Sequence, residues 1–197
     1  MIGFIITDIF LCLKLLLIMK TKIMLASAIL AGTAYFTLVS CSSIPRGATA
    51  IKPFDIDKYL GKWYEIARMD FRFERNLNNT TAEYSINSNG SIKVDNRGFN
   101  YVTGEWKQAI GRAKTAGDKN EAKLKVSFFG PFYSGYNVIA LDEEYKYALV
   151  AGKNLKYLWI LSRETSIPDN IKQNYLKIAQ DLGYNTSDLI WVEHNKQ

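Results

Sequence analysis

Ala122-Lys-Leu-Lys-Val-Ser-Phe128 alternates apolar and polar residues from end to end. Ala122, Leu124, Val126 and Phe128 fall on one face, and Lys123, Lys125 and Ser127 on the other. A side-chain period of two yields one buried and one wet face only in an extended strand. The same period recurs on both sides of this stretch. Upstream, Thr81-Ala-Glu-Tyr-Ser-Ile86 groups Ala82, Tyr84 and Ile86, Asn87-Ser-Asn-Gly90 supplies hairpin-turn chemistry, and Ser91-Ile-Lys-Val-Asp95 resumes the alternation. Downstream, residues 136–141, 145–150 and 157–163 follow at short spacing. With residues 63–68 and 104–115 the count reaches about eight strands.

The last three segments are apolar on both faces, so something must cover them outside. Pro168 starts a helix where its missing N–H is harmless. Ile171, Tyr175, Ile178 and Leu182 share one helical face, and Gly183 ends the helix. The pattern predicts an all-β fold: an eight-stranded up-and-down antiparallel barrel with one C-terminal α-helix packed outside. Closure removes the edge strands that invite aggregation. A barrel of about eight strands has an interior that side chains fill or that holds one small ligand, and alternation does not separate the two.

The 197 residues are 48% hydrophobic and 22% charged, a globular composition with room for one domain. Setting aside Lys14, Lys20, Lys22 and Asp8, the formal charge of +6 reduces to 22 basic against 18 acidic groups over residues 41–197. These basic residues are scattered singly, which argues against a nucleic-acid partner. Both cysteines, Cys12 and Cys41, precede the barrel, so no disulfide staples it. His194 is the only histidine, which leaves no thiolate or imidazole cluster for a metal. No cofactor is expected.

Residues 1–40 contain two greasy runs separated by Met19-Lys-Thr-Lys22. The second run reads as a signal peptide, with a basic start, an apolar middle and the ending Leu38-Val39-Ser40-Cys41. That tetrapeptide resembles the lipobox of bacterial lipoproteins, which implies diacylglycerol on the Cys41 thiol, cleavage before it and acylation of the new amino terminus. Each buried methylene contributes about 0.8 kcal/mol, so several acyl chains anchor stably. A retained transmembrane helix is the competing reading of the same run. The first run fits no targeting scheme when joined to the second, so Met19 is read as the true start. The organisation expected is a signal segment over 1–40, a lipidated linker over 41–52, and the barrel with its helix over 53–197. Ser42 replaces the Asp that retains Gram-negative lipoproteins at the inner membrane, which favours the outer membrane and its periplasmic face.

Gly61-Lys-Trp63, opening the first strand, resembles the Gly-x-Trp signature of lipocalins. Leu141-Asp142-Glu-Glu-Tyr145 resembles the family's Thr-Asp-Tyr region, with Leu141 in place of Thr and Tyr145 displaced. Trp159-Ile-Leu-Ser-Arg163 resembles the third region, whose arginine packs across the first region's tryptophan. Residues 54–68, Arg72-Phe-Glu-Arg75 and residues 124–133 are similar to bacterial lipocalins of the apolipoprotein D branch. The resemblance implies an outer-membrane lipoprotein that binds fatty acids or lysophospholipids and serves membrane lipid maintenance under stress. It leaves the headgroup and homodimerisation open.

In an up-and-down barrel the first strand leaves the closed end and the eighth returns to it. Trp63 and Arg163 then meet at the floor, where a guanidinium over an indole contributes about 0.5–2 kcal/mol. Tyr133, Tyr136 and Trp159 each pair an apolar ring with a polar tip, suited to an acyl chain with a headgroup, and are the candidate pocket contacts; barrel core is their competing reading. Tyr84 and Phe128 read as ordinary lining. Glu65 shares parity with Trp63 and Ala67, which aims a carboxylate inward: either a bulge shifts the register or Glu65 hydrogen-bonds inside. No catalytic residue is expected. His194 lies outside the strands, no Gly-x-Ser-x-Gly elbow exists, and Asp142, Glu143 and Glu144 sit on a turn. The rival readings are a structural envelope lipoprotein with a filled barrel and a lipid-modifying enzyme.

Overall fold

A computed structural model describes residues 43–196. The expectations attached to the signal segment, Met19, Cys41 and Ser42 lie outside the described residues. The elements run α1 (Ile56–Tyr59), β1 (Gly61–Met69), β2 (Leu77–Ile86), β3 (Ile92–Asn100), β4 (Glu105–Thr115) and β5 (Lys123–Phe129). They continue with β6 (Phe132–Leu141), β7 (Tyr147–Ala151), β8 (Leu158–Ser162), α2 (Asp169–Asp181) and β9 (Leu189–Trp191). Strands β1 to β8 pair antiparallel with their neighbours, and β1 pairs with both β2 and β8, which closes the barrel. Among the described residues no helix is long and apolar enough to cross a membrane.

The ninth strand is an addition to the expected eight. β1 pairs with β2 only over Gly61–Tyr64, and β9 takes up the remaining edge over Ala67–Met69. A three-residue strand is too short to carry a readable period. It covers hydrogen-bonding groups that would otherwise form an open edge. The segment after it ties β2 back, because Asn79 N–H donates to the Glu193 carbonyl at 2.8 Å and its side-chain oxygen accepts from Lys196 N–H at 2.7 Å.

Two cores flank the barrel wall. Trp63, Tyr84, Val94, Leu124, Val138 and Leu161 point inward. Ile66, Leu149, Leu158 and Ile160 point outward and pack beneath Tyr175 and Ala179 of α2. β7 and β8 are therefore apolar on both faces because one face lines the barrel and the other receives the helix. The helix follows the expected stripe, with Ile171, Ile178 and Leu182 packed around Tyr175, whose hydroxyl donates to the Tyr147 carbonyl at 2.8 Å. Gly183 at φ +92° provides the left-handed exit.

The described part of the linker lies along the outer wall. Asn137 Nδ2 donates to the Ser43 carbonyl at 2.8 Å, and Ile51 N–H donates to the Val138 carbonyl at 2.9 Å. Residues 43–54 thus run along the wall from the middle of β6 toward the closed end.

Candidate ligand site within the barrel

The closed end gathers the motif residues Gly61, Trp63, Asp142 and Arg163. Trp63 is fully buried, and its Nε1 donates to the Tyr59 carbonyl at 2.8 Å. The Arg163 guanidinium lies 3.9 Å from the Trp63 ring centroid. It also donates to the carbonyls of Lys62 (2.8 Å), Lys58 (2.9 Å) and Tyr145 (3.2 Å). Gly61 adopts φ +88°, and a Cβ there would meet Arg163 Nη1 at 3.4 Å. The Asp142 carboxylate accepts from the backbone N–H groups of Lys146 and Tyr147, which fixes the turn that aims the Tyr145 carbonyl at Arg163. Tyr145 therefore reaches Arg163 through its backbone, while its hydroxyl accepts from Asp55 N–H at 2.9 Å.

Above the floor, three tyrosines join across the interior. The Tyr136 hydroxyl lies 2.7 Å from that of Tyr59 and 2.8 Å from that of Tyr84. Burial holds all three phenols above their ordinary range, so they remain neutral donors and acceptors. Tyr84 is thus more than lining, and Tyr59, which sequence reasoning missed, anchors the chain of hydroxyls. Its only sequence signal was its place just before Gly61-Lys-Trp63.

Higher still lies an acid pair around one guanidinium. Arg68, almost fully buried, donates to the Glu65 carboxylate at 2.7 Å and to the carbonyls of Glu74 (2.7 Å) and Leu77 (2.9 Å). Glu74 accepts from Trp159 Nε1 at 3.1 Å and stands 3.9 Å from Arg68 Nε. Burial lifts both carboxyls above the usual range, and Glu74 further, because the Glu65 charge adds to burial while Arg68 offsets it for Glu65. The cluster is electrically neutral when Glu74 keeps its proton. A register shift between Glu65 and Ala67 produces this arrangement. It moves Ala67 to the outer core, against the simple parity reading, and swings Arg68 inward to meet Glu65.

Trp159 and Tyr136 come together, their rings stacked at 6.5 Å between centroids. Tyr133 does not join them. It shares parity with Gly135 and Asn137, against which Ser43 packs outside, and its ring lies 4.5 Å beneath Lys114 Nζ. Sequence placement at the strand start gave no parity; the register shift opposite it adds its extra residue to β5, so β6 keeps its alternation and Tyr133 turns outward. His194 also lies outside, with Nε2 2.8 Å from the Glu65 carbonyl and its ring edge-on to Tyr64.

The interior remains reachable. Ala82, Val126, Phe128, Tyr136 and Trp159 pack against the inward core yet are only partly buried. β4 outruns β5: their pairing spans Arg112–Thr115, while residues 105–111 pair with β3 alone. Ala109, of inward parity with Ala113, is exposed there. Apolar walls carrying hydroxyls at one level and a neutral acid–guanidinium cluster at another suit an amphiphile.

A sequence profile for the lipocalin-like domain matches residues 54–194. The chain belongs to the lipocalin family. This lipocalin is 53% identical over 165 residues to outer membrane lipoprotein Blc of Escherichia coli K12, covering 83% of this chain and 93% of that protein. It is 43% identical to outer membrane lipoprotein Blc of Vibrio cholerae, over 79% of this chain and 92% of the relative. Among solved structures, insecticyanin from the tobacco hornworm Manduca sexta superposes with a TM-score of 0.63 at 22% identity, over 76% of this chain and 85% of that one, a likeness of fold.

Proposed function

We propose that this lipocalin is an outer-membrane lipoprotein, acylated at Cys41 after removal of a signal peptide, that binds a fatty acid or lysophospholipid in its barrel. It stores or moves such lipids for envelope maintenance under stress. The supporting observation is the interior itself: Tyr136, Trp159 and Phe128 face inward but stay partly exposed, so the barrel is not packed solid around them. A filled barrel would bury them fully. The acyl chain lies against the apolar walls, with Tyr136 and Trp159 as contacts. Relatives that share over half of the aligned residues are named outer membrane lipoproteins, which supports the location. The test is titration of the delipidated protein with palmitate and with a lysophospholipid, followed by intrinsic tryptophan fluorescence. Saturable binding is expected. Absence of saturation at micromolar ligand overturns the reading in favour of a filled barrel, and turnover of the lipid overturns it in favour of an enzyme.

A further inference from the structure

The four loops at the open end form one continuous, exposed and largely aromatic rim. Phe73, Tyr101, Val102, Phe129 and Phe132 are each between 59% and 79% exposed. Phe73 of the β1–β2 loop lies 6.0 Å from Phe129, where β5 turns into β6. Tyr101 N–H, at the β3–β4 turn, donates to the Asn76 carbonyl of the β1–β2 loop at 3.1 Å. Phe71 packs edge-on to Tyr157 of the β7–β8 turn at 5.6 Å. Large apolar side chains clustered this way on a soluble face mark an interaction surface.

The rim also carries positive charge. Arg72 lies 5.0 Å over the Phe73 ring, and Arg75, Lys107, Lys153 and Lys156 stand on the same loops or strand ends. Asp70, Glu74 and Glu105 are the acids among them; Asp70 is paired with Arg75, and Glu74 turns inward to Arg68 and Trp159. The turns at the opposite end carry Asp118, Glu121, Asp142, Glu143 and Glu144 against Lys119 and Lys146, with Asp118 paired to Lys52 and Glu144 to Lys146. Aromatic rings flanked by lysine and arginine suit the boundary between headgroups and acyl chains of an anionic bilayer.

Asn137 Nδ2, which holds the Ser43 carbonyl, also donates to the carbonyls of Ala151 and Gly152 where the β7–β8 turn begins. Ser43 therefore sits on the outer wall beside the middle of β6. Cys41 is two residues earlier, a reach of about 7 Å of extended chain. An acyl group on Cys41 would hold the barrel within reach of a bilayer.

We propose that the open rim is a membrane-docking face that seats on an anionic phospholipid surface with the mouth toward the bilayer. The proposal rests on the anchoring of Cys41 for nearness to a bilayer, while the orientation rests on the rim's chemistry alone. Docking delivers an amphiphile between bilayer and barrel without passage through water, and the exposed edge of β4 near the mouth offers the side route.

The test uses the full chain in a Cys12→Ser background, purified from membranes and placed in vesicles of phosphatidylethanolamine with phosphatidylglycerol. Thr103→Cys at the rim and Glu143→Cys at the floor each receive a bimane label, and lipids bearing a nitroxide quench it. The rim label should shift to the blue and lose most of its emission, while the floor label keeps its own. Replacing Phe73, Phe129 and Phe132 by serine should restore the rim emission; these side chains are exposed, so an unchanged thermal melt confirms an intact barrel. Equal quenching at both sites, or none at the rim, overturns the docking face. The parent chain without added cysteines separates the two readings. It takes no label when Cys41 is acylated, and labelling of it refutes the anchor, after which the rim is judged on the Cys41→Ser chain with the same vesicles.

Discussion

Replacing Arg68 with methionine removes the only guanidinium among Glu65, Glu74 and Trp159. Arg68 is about as buried as a side chain can be, and it makes one bond to a carboxylate and two to carbonyls. Without it, Glu65 is left as a buried carboxylate, and its neighbour Glu74 is already pushed toward the protonated form. Breaking a buried pair by removing one partner costs about 3–5 kcal/mol. For a domain of this size that corresponds to a fall in Tm of about 6–20 °C, at roughly 2–4 °C per kcal/mol. The loss should show in urea unfolding at neutral pH as a lower midpoint with an unchanged slope. Glu65→Gln combined with Arg68→Met removes the stranded charge and should recover more than half of the loss, giving a coupling term in the double-mutant cycle. An Arg68→Met protein within about 0.5 kcal/mol of the parent, the level of an ordinary surface change, would refute the account of Arg68 as the neutralising centre. Failure of the double variant to recover stability would equally show that packing, rather than charge, sets the cost.

Three further outcomes follow from named contacts. Glu74 has its carboxyl raised in the fold, so the folded protein holds a proton that the unfolded chain releases near 4.5. Stability is fully present below that value and declines as pH rises through the raised one; Glu74→Gln should flatten the decline, measured by urea midpoints at a series of pH values. Arg163→Lys keeps the charge but loses the planar fork that reaches Lys62, Lys58 and Tyr145, and should lower stability by about 1–2 kcal/mol in the same assay. In palmitate titrations Tyr133→Ala should leave affinity unchanged, because Tyr133 lies outside beneath Lys114, whereas Trp159→Phe should weaken it by disturbing both the stack on Tyr136 and the bond to Glu74. Equal effects of the two variants would place the ligand elsewhere.

The barrel was legible because most of its strands bury one face, and the period of two survives wherever that holds. β7 and β8 broke the period, but their two-sided apolarity announced the covering helix. β9 was not legible: three residues carry no period, and its role is to finish an edge that β2 leaves uncovered. At the floor, the pairing of Trp63 with Arg163 was implied by the family resemblance, and strand order agreed with it. The acid cluster could not. Parity raised the question of Glu65, but its partner Arg68 reaches the interior only through the shift after Glu65, and Glu74 arrives from a loop with no period. Tyr133 shows the converse error, since a residue at a strand start has no parity until the pairing of that strand is known.

The path of residues 43–54 down the outer wall also sets how force travels. Tension on anything attached upstream of Ser43 enters the barrel at the middle of β6, through the amide of the fully buried Asn137, which grips Ser43, Ala151 and Gly152 at once. The load is then taken by β6 and β7 along the wall, and it reaches the Trp63–Arg163 floor last. A tether under strain would peel Ser43 from its rivet well before it disturbed the strands that enclose the ligand.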